Sequence, residues 1–113
     1  MGKRSRDKGA RREREACEYF RSVGIDAQRV PLSGSAGGHF CDDVLCKLED
    51  WLFRCEVKAR AEAAGWVTIK KWLGNSDMLM LIEDRSKPLV VVPWHIFEAI
   101  IDRVPKHKEF GNE

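Results

Sequence analysis

Residues 43–58 read D-V-L-C-K-L-E-D-W-L-F-R-C-E-V-K, the stretch around which the fold is organised. Two mostly apolar runs flank Glu49-Asp50, the pattern of an antiparallel hairpin with strands over 43–48 and 51–58. Side chains alternate along a strand, so Trp51, Phe53, Cys55 and Val57 share one face, and Leu52, Arg54, Glu56 and Lys58 share the other. The first face is a core face. The second becomes polar toward its end, where Glu56 and Lys58 stand two residues apart. By spacing alone that pair is a surface ion pair, so the surrounding chain must decide whether it carries chemistry.

Upstream, the pattern predicts a helix from Gly9 to Val23 that Gly24 stops. Ala10, Ala16, Cys17, Phe20 and Val23 fall on one stripe at helical spacing. Glu13 lies in the middle of that stripe, whereas Glu15 and Glu18 point away from it. A carboxylate on a core-facing stripe is costly to bury unless it has a partner, a proton or a metal. Glu13 therefore asks for a functional explanation. Residues 25–30 read as a short strand leading into P-L-S-G-S-A-G-G at 31–38. That loop has the glycines to approach a ligand closely but not the spacing of a nucleotide-binding loop.

Downstream, Gly65 to Leu73 predicts a short helix with Trp66, Ile69, Trp72 and Leu73 at helical spacing. Met78–Ile82 and Leu89–Val92 predict a second hairpin of largely buried strands around the polar turn E-D-R-S-K. Trp94 to Arg103 predicts a closing helix with Ile96, Phe97, Ile100 and Ile101 on its apolar side. The order is helix, strands, helix, strands, helix, which gives an α/β fold with a mixed central β-sheet flanked by helices. The expected organisation is a basic arm over 1–8, one domain over 9–104 and a polar tail over 105–113.

The whole chain has 113 residues, a net charge of +2 and 34% charged residues, as expected of one globular domain. Its longest apolar runs are far too short to span a bilayer, and its basic start lacks the apolar stretch of a secretory signal. These features predict an intracellular protein with no membrane partner. Charge is concentrated at the start: Lys3, Arg4, Arg6, Lys8, Arg11, Arg12 and Arg14 face only Asp7 and Glu13 within residues 1–14. Such an arm suits nucleic-acid binding, although a solubilising terminus has the same composition. Cys17, Cys41, Cys46 and Cys55 form no C-x-x-C pair, so buried free thiols are expected rather than zinc.

Four residues now form one group: Glu13, Asp43, Glu56 and Lys58. In an antiparallel hairpin the start of one strand lies beside the end of the other, so Asp43 can approach Glu56 and Lys58. Carboxylates without His or Cys offer hard oxygen ligands, suited to Mg²⁺ or Mn²⁺. A metal so held, with a lysine beside it, is equipment for phosphodiester hydrolysis. The competing reading from another class is a non-catalytic DNA-binding module using the basic arm alone, which leaves the acid group unexplained.

D-V-L at 43–45 followed by E-V-K at 56–58 resembles the PD-(D/E)XK nuclease superfamily. K-G-A-R-R-E-R-E at 8–15, V-G-I at 23–25 and R-V-P-L-S-G-S at 29–35 are similar to the Holliday-junction resolvases of archaea and their phage-type relatives. W-L-G-N-S-D-M-L at 72–79 and K-P-L-V-V-V-P at 87–93 are similar to the phage-type branch. The resemblance covers roughly residues 8–97 and implies a restriction-endonuclease-like core. It implies catalytic roles for Glu13, Asp43, Glu56 and Lys58, with Asp43, Glu56 and Glu13 as metal ligands. Asp42 stands where these relatives usually have Pro or Gly. Only one of Asp42 and Asp43 can face the site, and the D-V-L pattern selects Asp43, with a swap left open.

The resemblance further implies DNA contacts by Arg14, Arg29 and the loop with Ser33 and Ser35, either of which can be the functional serine. Lys8 of the basic arm and Arg11 of the helix join them. The expected activity is metal-dependent, structure-selective cleavage of four-way DNA junctions. The expected setting is the cytoplasm of a prokaryote or of a phage-infected host. A nuclease of the same fold acting on flaps, damaged DNA or duplex is the alternative. A symmetric junction has two strands to cut, which suits a homodimer. The 66–73 helix and the apolar strands after it are the candidate interface.

Overall fold

The computed structural model describes residues 3–30, 44–59 and 64–105, with side chains from Gly9 onward in the first segment. Helix α1 spans Lys3–Ser22, and strand β1 spans Asp26–Arg29. The hairpin consists of β2, Val44–Leu48, and β3, Trp51–Lys58. Helix α2, Trp66–Leu73, connects β3 to β4, Met78–Leu81. Strand β5, Leu89–Val91, and helix α3, Trp94–Asp102, complete the described chain.

The five strands form one mixed sheet in the order β1-β2-β3-β4-β5. The β1–β2, β2–β3 and β4–β5 pairs are antiparallel, and β3–β4 is parallel across the α2 crossover. The hairpin turns at Glu49-Asp50 as expected, with Glu49 at a φ of 58° to close so short a loop. Asp77 fixes the start of the parallel ladder. Its carboxylate accepts the Arg54 backbone N–H at 2.8 Å, and its own N–H donates to the Arg54 carbonyl at 2.9 Å.

Alternation along β3 follows the expected pattern. Phe53, Cys55 and Val57 are buried with Ala27, Val44 and Cys46 against Ala16, Cys17 and Phe20 of α1. The rings of Phe20 and Phe53 meet edge-on at 6.2 Å, and Trp51 lies 4.7 Å from Phe53. α1 stops in a Schellman motif: the Ile25 N–H donates to the Phe20 carbonyl and the Gly24 N–H to the Arg21 carbonyl. Gly24 adopts a φ of 91°, a region that glycine enters without steric cost.

Three expectations are corrected. α1 begins at Lys3 rather than Gly9, because Lys and Arg are good helix formers even where no apolar period marks them. Val23 lies beyond the last helical turn and is exposed. β5 is an exposed edge, with Leu89 and Val90 open to solvent; only β4 of that pair is largely buried.

Candidate active site

The candidate residues gather at the end of the sheet from which the chain leaves β1 and re-enters β2. Arg29 ends β1, Val44 begins β2, and the two pair with each other. Val44 in turn pairs with Cys55, the residue before Glu56. Asp43, Asp42, Ser33, Ser35 and the Lys8 side chain lie outside the described residues.

Glu13 reaches this end from α1. The Arg29 Nε–H donates to Glu13 Oε1 at 3.0 Å, and both side chains are largely shielded. The burial problem raised by Glu13 on the apolar stripe is thus solved by a cation from the adjoining strand. Glu56 and Lys58 leave β3 on the opposite face of the sheet from Cys55 and Val57, on the side where Trp72 of α2 lies over Lys58. Lys58 Nζ stands 3.7 Å from Glu56 Oε2; the carboxylate is 10% exposed and the lysine 39%. A carboxylate this enclosed differs from the surface pair that spacing alone suggested. Glu13–Arg29 and Glu56–Lys58 therefore sit at one end of the sheet, approached from its two faces. Among the described residues no three His, Cys, Asp or Glu side chains form a metal-binding group.

Two residues near the site escaped the sequence reading. Arg12 is 7% exposed and bridges Glu15 and Asp84, with both N···O distances 2.9 Å. Burial opposes its charge, but the hydrogen bonds to the two carboxylates outweigh this and raise its pKa, while Arg12 holds the Asp84 carboxyl below its ordinary value. The signal was present: Arg12 precedes Ala16 by four residues, on the flank of the apolar stripe. Trp72 also escaped, with Lys58 Nζ 5.9 Å from its ring centroid. No local pattern links those positions, which only the crossover brings together. Cys17, Cys46 and Cys55 are buried free thiols, and burial pushes Cys46 up to about 12. Arg11 and Arg14 are exposed on α1.

A mixed sheet with an acid-x-lysine ending its central strand and a helix-borne glutamate at the same end defines an α/β nuclease of the PD-(D/E)XK kind. The family model described as archaeal Holliday junction resolvase (Hjc) matches residues 4–81, and the chain belongs to that family. A solved structure of Archaeoglobus fulgidus Hjc, described as a Holliday junction resolvase from an archaeal hyperthermophile, shares the fold. It is 23% identical, covers 75% of this chain and 72% of that one, and has a TM-score of 0.50. No curated protein matches.

The protein is accordingly an endonuclease with Holliday-junction resolvase function; the non-catalytic and other-substrate readings are not favoured. Nucleases of this family are metal-dependent. The described donors fit a hard divalent cation, since the enclosed Glu56 offers oxygen and the buried thiols face the core instead. No described helix is long and apolar enough to cross a membrane.

Proposed function

We propose that this chain cuts four-way DNA junctions as a homodimer, using a site made by Glu13, Asp43, Glu56 and Lys58 with Mg²⁺ or Mn²⁺. The observation that carries this reading is the enclosed Glu56 carboxylate with the Lys58 ammonium 3.7 Å away. Glu56, Asp43 and Glu13 would hold the cation, which when bound supplies Lewis-acid stabilisation of charge on the phosphate. Lys58, as an ammonium, donates hydrogen bonds to a non-bridging phosphate oxygen as charge develops there. Arg29 holds the Glu13 carboxylate in place through its Nε–H.

Arg11 and Arg14 on the exposed face of α1, with Lys8 and the loop carrying Ser33 and Ser35, contact the DNA backbone. Such contacts select shape and weaken with salt rather than reading bases. The apolar residues left open on α2, β5 and α3 (Trp66, Val67, Leu89, Val90, Trp94 and Phe97) support a two-fold partner. A substrate of branched cellular DNA places the protein inside a cell, in a prokaryotic or phage-infected cytoplasm.

The test is cleavage with Mg²⁺ of a four-way junction and of a linear duplex of the same sequence. Junction cleavage at least about 10-fold faster than duplex cleavage is expected, the equivalent of ~1.4 kcal/mol in the barrier. Equal rates would remove the junction selectivity from this account.

A further inference from the structure

The Lys58 ammonium lies between two groups of different character. On one side is the Glu56 carboxylate at 3.7 Å. On the other is the ring of Trp72, whose centroid is 5.9 Å away. Lys58 ends β3, and its carbonyl accepts the Ile82 N–H at 2.9 Å, so the backbone beneath the side chain is fixed. Trp72 is in the last turn of α2 and is half-buried, whereas Trp66 and Val67 at the other end of that helix are exposed. α2 thus turns one tryptophan toward the site and leaves another in solvent.

We infer that Trp72 is a positioning residue: its π face holds the Lys58 ammonium at the cleavage site. This rests on the proposed role of Lys58. A lysine 39% exposed has a flexible four-carbon stem and a strongly hydrated head. An ion pair at that exposure holds it only loosely. A divalent cation held by Glu56 would weaken that hold further, since it would share the carboxylate's negative charge and repel the ammonium. The tryptophan face attracts a cation through its quadrupole and carries no net charge for a metal to neutralise. Trp72 therefore keeps Lys58 in place in the state where Glu56 is least able to.

Three variants, a series of fluorinated tryptophans and one NMR comparison test this. Trp72→Leu should lower the kcat for junction cleavage by about 3- to 10-fold, the range of a partly solvated cation–π contact, with junction Kd unchanged. Trp72→Phe, which keeps an aromatic face, should recover part of the loss. Tryptophans with one, two and three ring fluorines, placed at position 72 alone, should lower kcat stepwise as the π face is depleted. Without metal, the NMR resonances of the Lys58 ε-methylene should be shifted upfield by the ring, and Trp72→Leu should abolish that shift.

Full kcat in Trp72→Leu, or no trend across the fluorinated series, would overturn the inference. So would an unshifted Lys58 ε-methylene in the wild-type protein. Should Trp72→Leu fail to fold, the fluorinated series, which keeps the ring shape, decides. Lys58→Met separates the two claims. If it is inactive while Trp72→Leu cleaves normally, only the positioning role fails. If Lys58→Met cleaves at the wild-type rate, the catalytic assignment of Lys58 fails and the inference falls with it.

Discussion

The half of the molecule made by α1 and β1–β3 and the side made by α2, β5 and α3 are built on opposite plans. In the first, Ala16, Val44, Cys46, Phe53 and Cys55 are all at most 1% exposed, so the chain seals its own core. In the second, α2 buries no residue fully, and α3 buries only Ile96 among its residues. Trp66, Val67, Leu89 and Trp94 are each more than two-thirds exposed there. Both sides carry apolar residues. The difference is that one closes on itself and the other presents apolar residues outward, the surface on which the proposed homodimer would form. The candidate site sits where the two meet: Glu13 and Arg29 come from the sealed half, and Trp72 reaches Lys58 from the open side.

The largest expected contrast is in folding stability. Phe53→Ala removes a ring that packs on both Trp51 and Phe20, and should cost about 3–5 kcal/mol. Trp66→Ala should change the stability of the isolated protomer by less than ~0.5 kcal/mol. Urea denaturation at low protein concentration checks both, and similar losses would erase the distinction between the two sides.

A second contrast lies in assembly. Val90→Arg places a charge on the open edge strand and should shift a dimer to monomer in sedimentation velocity, raising the dissociation constant by at least about 10-fold. Lys47→Glu, on the other half, should leave assembly alone. A dimer that tolerates Val90→Arg would direct the interface elsewhere.

The smallest effect concerns the bridge from α1 to the β4–β5 turn. Because Arg12 lowers the Asp84 pKa, the pair's contribution is complete above the ordinary Asp value of 3.8 and fades as pH falls through the lowered one. Wild-type protein should therefore lose slightly more thermal stability on acidification than Asp84→Asn. Parallel acid profiles of Tm would show that the bridge contributes nothing. A small effect is expected, since Asp84 is exposed.

The sealed half was legible in the sequence because its signals are local. Alternation from Trp51 to Lys58 assigned the β3 faces, and the stripe through Ala16, Cys17 and Phe20 together with Gly24 placed the end of α1. On the open side only the burial of β5 was misread, and for a physical reason. L-V-V at 89–91 has the composition of a buried strand, and composition does not distinguish a core strand from an exposed apolar edge. The site was legible as residue types but not as pairings. Glu13 stood out on its stripe, yet its link to Arg29 joins positions 16 residues apart, and Trp72 meets Lys58 only through the crossover. Glu56 and Lys58 were read as metal ligand and catalytic neighbour rather than as ion-pair partners, yet in the structure they lie within ion-pair distance.

The most direct measurement is junction binding and junction cleavage by Glu56→Gln, side by side with wild type. The substitution keeps the size of the side chain and removes the negative charge that would hold the cation. Junction affinity should stay within about 3-fold of wild type, because phosphate contacts supply the binding. Cleavage with Mg²⁺ should fall by at least ~10³-fold, toward background. Cleavage by Glu56→Gln at the wild-type rate would contradict the site at the end of β3.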